Sequence, residues 1–391
     1  MGKVVYFCIP AYGHTNPTIA VVRELVKRGH EVWYYSFAPF REKIEDTGAH
    51  FIPCDHALPE LKSSDEKKIG KDFAALIEMV ADTTIALNEQ VCRELTHIAP
   101  DCIVTDSLCF WGKLFARKLA IPWVCSTTTF AFNEHTAKLM KGTLPETLRL
   151  LTGMPRINRK ISQLRRNGFP IENFISIIQN DNHTDTIVYT SKEFQPMAEL
   201  FSQRYAFVGP SIDHISVPPD NRTRQRVYIS LGTVNNRNRR FYQNCIEAFR
   251  KENLDIVMSV GEKTDISSFY QVPEHFHIFR SVDQIRVLQN TDVFITHCGM
   301  NSVNESLYYG VPMVLCPQQE KQRLVAAQAA AAGAGIPLKH SRSEDLKSAV
   351  REVLGNDRFK VCAQKLADSF SRAGGAAKAA DTVCEVMNRS R

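Results

Sequence analysis

His14 follows the apolar run 4–9, and Asp106 follows the apolar run 102–105. A histidine steadied by a carboxylate is a general base, because the acid fixes the tautomer and stabilises the imidazolium that forms. Imidazole changes charge near neutral pH, so such a pair could take a proton from a hydroxyl. Either residue alone could instead cap backbone beside its own helix. Their matching places after two apolar runs favour the functional reading.

A denser set lies in the second half: His297, Gly299, Asn301, Ser302 and Glu305. Gly299 allows close backbone approach. Asn301 and Ser302 stand where a helix would begin, and the free N–H groups and dipole of a helix start attract anions. With the imidazole, these donors suit a diphosphate. Glu305, one turn in, could accept from sugar hydroxyls. Ser302 and Glu305 also have the spacing of a capping box, but capping requires neither His297 nor Gly299. Ser230-Leu231-Gly232-Thr233 is a weaker phosphate-cradle signal, with a simple turn an equal reading. Pro317-Gln318-Gln319-Glu320-Lys321-Gln322 gathers three carboxamides, an acid and a base that could read sugar hydroxyls.

Elements must hold these groups in place. The first half alternates strand patterns over 4–9, 31–36, 102–105, 122–125 and 186–190 with helical ones over 17–27, 39–47, 70–97 and 110–119. Asn16 suits an N-cap, Pro17 a first helical residue, and Gly29 a helix end. Continuous rather than alternating apolar strands indicate a parallel sheet covered on both faces. Residues 210–225, with Pro210, Pro218 and Pro219, read as a linker. The alternation then restarts, with strands over 227–231, 254–260, 277–279, 293–296 and 312–316. Helices are expected over 239–252, 283–290, 302–309, 321–333 and 343–354. A last helical pattern, 357–388, is interrupted at Gly374-Gly375. This is an α/β chain of two doubly wound domains, 1–209 and 226–370. Ligands of such sheets sit beyond the carboxyl ends of the strands, where every candidate above falls, and a cleft between the domains is expected.

Composition removes other classes. The 391 residues allow two or three domains. Lys plus Arg number 48 against 42 Asp plus Glu, a net charge of +6 that is too mild and dispersed for a nucleic-acid partner. The densest basic stretch, Arg156, Arg159, Lys160, Arg165 and Arg166, reads as a solvated helix face, with a rim near an anionic ligand as the second reading. The eleven cysteines form no C-x-x-C, which argues against a disulfide framework or a zinc site and for a reducing cytoplasm. Residues 4–12 read as a buried strand rather than a signal peptide. No apolar run approaches the roughly 18 residues of a membrane-spanning helix. The chain has no G-x-G-x-x-G and no P-loop, so dinucleotide and P-loop readings lose their best support.

Gly13-His14-Thr15-Asn16-Pro17 resembles the first helix entry of the nucleotide-sugar-dependent family 1 glycosyltransferases. Ile295-Thr296-His297-Cys298-Gly299-Met300-Asn301-Ser302, then Gly310-Val311-Pro312 and Pro317-Gln318, continued by 334–338, resemble their donor-binding signature. The likeness is nearest to the bacterial macrolide and polyphenol branch and strongest over 1–30 and 226–340. It implies a GT-B fold: two Rossmann-like domains facing a cleft, the first for an acceptor and the second for a UDP-sugar. It also implies that 371–391 form a helix returning to the first domain. Carried over residue by residue, it makes His14 the base and Asp106 its partner. Gly232 and Thr233 would lie near the phosphates and Gln284 near the uridine. His297, Gly299, Asn301 and Ser302 would hold the diphosphate, Glu305 the ribose and Gln322 the sugar. Neither a metal nor a cofactor is implied, since the helix terminus and His297 would stabilise the leaving UDP. Three positions depart from the pattern. Ser281 replaces an aromatic that stacks on uracil, Asp283 a proline, and Lys321 the acid before the final Gln. Glu320 could substitute for that acid after a one-residue shift.

The expected activity is inverting transfer of a hexose, with glucose the first candidate, from a UDP-sugar to a hydroxyl of a hydrophobic small molecule. A phenol, a flavonoid or a macrolide would qualify. Phe110, Trp111, Phe130 and Phe132 are candidates for the acceptor surface, or else are core. Two alternatives fit the same architecture. A UDP-sugar epimerase would use no acceptor. A non-catalytic partner protein should have lost the base or the phosphate site, yet His14, Asp106 and His297 all remain.

Overall fold

The computed structural model describes residues 1–57, 72–133, 136, 144–178, 180–212, 222–233 and 236–389, with 144–150 by backbone alone. Most of the expected linker (213–221) and the expected helix start at 70–71 lie outside the described residues. The chain forms two compact units. The first comprises Met1–Tyr189, Met197–Ser211 and Ala376–Arg391, and the second Thr190–Pro196 and Ile212–Gly375.

The first unit is built on a sheet of strands β1 (Lys3–Phe7), β2 (Glu31–Ser36), β3 (His50–Pro53), β4 (Cys102–Asp106), β5 (Trp123–Thr127), β6 (Thr186–Val188) and β7 (Tyr205–Phe207). Its order is β3-β2-β1-β4-β5-β6-β7, and every neighbouring pair is parallel. The second unit holds β8 (Gln225–Ser230), β9 (Leu254–Ser259), β10 (Phe276–Phe279), β11 (Val293–Thr296), β12 (Met313–Leu315) and β13 (Gly335–Pro337). Its order is β10-β9-β8-β11-β12-β13, again all parallel. Central strands such as β4 and β11 are buried at every residue, which is why their sequences read as unbroken apolar runs. In each sheet the winding reverses once, between β1 and β4 in the first and between β8 and β11 in the second. Those two reversals open the crevices where doubly wound folds bind ligands.

Strands β3, β7 and β13 escaped sequence reading. They are three or four residues long and carry partly or fully exposed positions, so no apolar run marks them. The basic stretch around 156–166 also differs from expectation. Its helix (Leu144–Arg166) lies against the Phe73–Ile98 helix, where Arg156 pairs with Asp72 at 3.1 Å and with Glu78. Lys160 is buried and pairs with Asp82. Arg156 holds the Glu78 carboxyl below its usual range. Acids one helix away have turned part of an apparently solvated face into an interhelical seam.

The final helical pattern breaks where Gly374 and Gly375 take positive φ (92° and 55°), giving helices Asp357–Arg372 and Gly375–Arg389. The last helix packs within the first unit. Arg28 binds Asp381 at 2.7 Å, Arg389 binds Asp185 at 2.7 Å, and Ala379, Val383 and Met387 enter the core.

Candidate active site

The first constellation stands at the β1/β4 reversal. The helix after β1 runs Tyr12–Lys27, so it begins four residues before the expected cap Asn16, and Pro17 lies inside it. The Ala11 carbonyl is the first acceptor, taking bonds from both His14 and Thr15 N–H at 2.9 Å each. Pro17 lacks an N–H and so forgoes one bond to the preceding turn. Asn16 instead accepts from Lys43 Nζ at 2.8 Å. The early start places His14 in the first helical turn, beside the end of β4. There His14 Nδ1 meets Asp106 Oδ2 at 2.7 Å. The His14 side chain is 15% exposed and that of Asp106 is 1% exposed. The second Asp106 oxygen accepts from Leu108 N at 2.9 Å, which locks the carboxylate. Thr128 Oγ1 lies 3.1 Å from the same His14 Nδ1. With Nδ1 so engaged, Nε2 is the nitrogen left to accept a proton. Sequence reading missed Thr128, although it stands just past β5, where the strand-end rule would have found it.

The four aromatic acceptor candidates part company. Phe110 and Trp111 are buried in the core cluster, and Phe130 is buried as well. Only Phe132 of the four presents its ring to solvent. Tyr12 and Leu108, two other exposed apolar residues, lie five and two residues past the ends of β1 and β4. Apolar type alone could not separate surface from core, whereas position after a strand does.

The second constellation stands at the β8/β11 reversal. His297 leaves β11, and the helix Met300–Tyr308 begins at an N-cap of Gly299. Between them Cys298 takes φ 64°, a left-handed conformation unusual for a residue with a Cβ. Its N–H bonds Thr296 Oγ1 at 3.2 Å, and its side chain is fully buried. This turn lays the His297 ring between two glycines. A Cβ on Gly232 would sit 2.5 Å from Cε1 and 2.6 Å from Nε2, and a Cβ on Gly299 would sit 2.6 Å from Nε2. Gly232 also has φ +79°, and its carbonyl accepts from Asn236 Nδ2 at 2.7 Å. His297 Nδ1 is buried without a hydrogen-bond partner of normal geometry. Burial pushes the pKa of His297 down to about 4, against a smaller opposing effect of the Ser230 backbone. The ring is therefore a neutral donor at physiological pH.

Gln284, Ser302 and Glu305 come together, though sequence had given them separate tasks. Gln284 opens a short helix capped by Asp283, whose carboxylate accepts from Arg286 N at 3.2 Å. Capping gives Asp283 a use at a position where the family often has proline. The Gln284 amide donates to Ser302 Oγ at 3.2 Å and to Glu305 Oε2 at 2.5 Å, and its oxygen accepts from Tyr228 OH at 3.2 Å. Tyr228, inside β8, offered no sequence signal. Asn301 lies in the first turn of the Met300–Tyr308 helix, and Thr233 is exposed just after Gly232. Gln322 is buried, with its oxygen accepting from Gln318 N at 2.8 Å and Gln319 N at 3.0 Å, which caps the helix Glu320–Ala331. Glu320 stands apart from this set. Its side chain is 92% exposed and pairs with Arg323 at 3.4 Å, so it joins none of these groups.

Residues 277–370 match the family model of UDP-glucoronosyl and UDP-glucosyl transferase. The chain is 33% identical to the NDP-glycosyltransferase YjiC of Bacillus licheniformis, over 97% of this chain and 96% of that one. The chain belongs to the family 1 glycosyltransferases. This transferase is also 31% identical to the uncharacterized UDP-glucosyltransferase YojK of Bacillus subtilis, over 100% and 98% of the two chains. Its fold is that of GT-B glycosyltransferases. The crystal structure of the glycotransferase of kitacinnamycin matches it with a TM-score of 0.86 at 24% identity, covering 98% of each chain. Among the described residues, no helix of the transferase is long and apolar enough to cross a membrane.

Proposed function

We propose that this transferase moves a hexose, with glucose the first candidate, from a UDP-sugar to a hydroxyl of a hydrophobic small molecule, with inversion at the anomeric carbon. The observation that carries the proposal is the 2.7 Å bond between His14 Nδ1 and Asp106 Oδ2. It leaves Nε2 free to take the acceptor proton while the carboxylate stabilises the imidazolium. The acceptor oxygen then bonds the anomeric carbon as the bond to UDP breaks, and UDP departs as an anion. The start of the Met300–Tyr308 helix and the neutral His297 ring would meet its diphosphate. Glu305, oriented by Gln284, would accept from the ribose, and the Gln322 amide nitrogen would donate to the sugar. In this reading the donors act without a metal or a cofactor. Tyr12, Leu108 and Phe132 would form the apolar acceptor surface of the first unit.

Relatives support the reading by name, including a demethyllactenocin mycarosyltransferase of Streptomyces fradiae at 28% identity and an oleandomycin glycosyltransferase of Streptomyces antibioticus at 24%. Phenols, flavonoids and macrolides are therefore the acceptors to try. Eleven free thiols, most of them buried, suit a cytoplasmic enzyme. The test offers the protein a panel of UDP- and dTDP-sugars with these acceptors and follows UDP release and product mass. Acceptor-dependent release with a UDP-hexose is expected. Sugar interconversion without acceptor would instead indicate an epimerase, and silence with every donor would indicate a non-catalytic partner.

A further inference from the structure

The second unit carries another concavity, of about 490 Å³, between the loop after β13 and the start of the helix Arg239–Phe249. Arg240, Lys339, His340 and Arg342 line it, and among the described residues no acidic one does. That segregation is unusual in a chain whose basic and acidic residues are nearly balanced at 48 and 42. The amides in the lining are already in use. Asn238 accepts from Phe241 N at 3.1 Å to cap the helix, and Asn244 Nδ2 donates to Ser341 O at 2.6 Å, pinning the basic loop. Arg342 is held by a forked contact with Asp345 at 2.7 and 3.2 Å. Arg240 and Lys339 have no acidic partner among the described residues. Three cations thus converge on one hollow, and two of them lack a counter-charge.

The hollow lies on the opposite face of the sheet from Tyr228, Gln284 and Glu305. The helices Arg239–Phe249 and Ser343–Gly355 share one core with Val227, Ile229, Val293 and Ile295. Side chains alternate across a strand, so Tyr228 and Phe294, stacked at 4.6 Å, lie on the other face. That is the face of Gln284 and Glu305, through the bond to Tyr228.

We infer that this hollow is a second anion site, selective for a soluble phosphate-bearing small molecule and independent of the donor site. Its volume lies within the range of small-molecule sites. Converging cations on a fixed loop suit the spread charge of a phosphate or diphosphate. Phe241, the lining's one aromatic, is buried, so no ring stands out to enter a lipid layer.

The test is titration calorimetry with inorganic pyrophosphate on the full chain saturated with UDP, which blocks the donor site. One equivalent of pyrophosphate should bind, more weakly as salt rises. R240E/K339E should bind at least about tenfold more weakly, with UDP affinity unchanged, while R240K/K339R retains binding. Both residues are exposed, so these variants should fold, and UDP affinity reports that they have. Absence of binding with UDP present, or equal binding by R240E/K339E, would overturn the inference. Capture by phosphatidic acid vesicles without pyrophosphate binding would overturn it as well.

Discussion

Gly232→Ala should damage both the stability of the second unit and its donor affinity, by amounts that can be separated. The residue has φ +79°, and an alanine there costs about 1–2 kcal/mol for its left-handed backbone alone. The new Cβ would also stand 2.5 Å from His297 Cε1. Contacts that short force the ring to move, and overpacking of this kind costs a further 1–3 kcal/mol or so. The expected total is roughly 2–5 kcal/mol. Gly29→Ala is the control, since Gly29 has φ +83° with nothing within 4 Å of its added Cβ, and so reports the backbone cost alone. Unfolding of the unit carrying each substitution would be followed by hydrogen exchange of its central strand amides. UDP affinity would be read by calorimetry, with a loss of roughly 10- to 100-fold expected as the His297 ring is displaced. Removing the ring in Gly232→Ala/His297→Ala should recover the steric part and leave the backbone part. Gly232→Ala costing no more than Gly29→Ala, with wild-type UDP affinity, would refute the packing of His297 between its glycines.

Four further outcomes follow from the same geometry. Asp106→Asn should lower transfer by roughly 10³–10⁴-fold, since the amide can hold His14 in the wrong tautomer, while UDP affinity stays unchanged in calorimetry. His297 titrates near 4 when folded and near 6.5 when unfolded, so protonation favours unfolding as pH falls through that window. Between pH 7.5 and 4.5 the second unit should lose roughly 2–3 kcal/mol more in the wild type than in His297→Asn, measured by urea unfolding at both pH values. Tyr228→Phe removes one hydrogen bond from the Gln284 amide and should raise the donor KM about 2- to 10-fold at unchanged kcat in steady-state kinetics. Glu320→Ala should leave thermal stability and donor KM unchanged within about 0.5 kcal/mol, whereas Gln322→Ala should lose a cap worth about 1 kcal/mol.

The parts of this molecule legible in sequence were those where one local signal sufficed. Buried parallel strands announce themselves as apolar runs, and strand ends then locate His14, Asp106, Gly232 and His297. Where tertiary partners decide, sequence is silent. The helix after β1 starts at Tyr12 although Asn16-Pro17 is the stronger local start, and only that early start brings His14 to Asp106. Arg156 and Lys160 look solvated until acids of a neighbouring helix meet them. Gln284, Glu305 and Tyr228 are separated by up to 77 residues, 305 minus 228, and only the sheet makes them one network. Cys298 shows no sign of its left-handed turn, because nothing in its type demands one. Glu320 and Gln322 differ by two positions on a helix start, enough to send one side chain to solvent and bury the other.

The proposed transfer turns on removal of the acceptor proton by His14. Acceptor-dependent UDP release by the wild type and by His14→Ala, at saturating donor, tests it most directly, with UDP affinity measured in parallel to show that the second unit is intact. Loss of a general base predicts a fall of roughly 10²–10⁴-fold at unchanged UDP affinity. Equal release by the two proteins would contradict the claim and remove His14 from the chemistry.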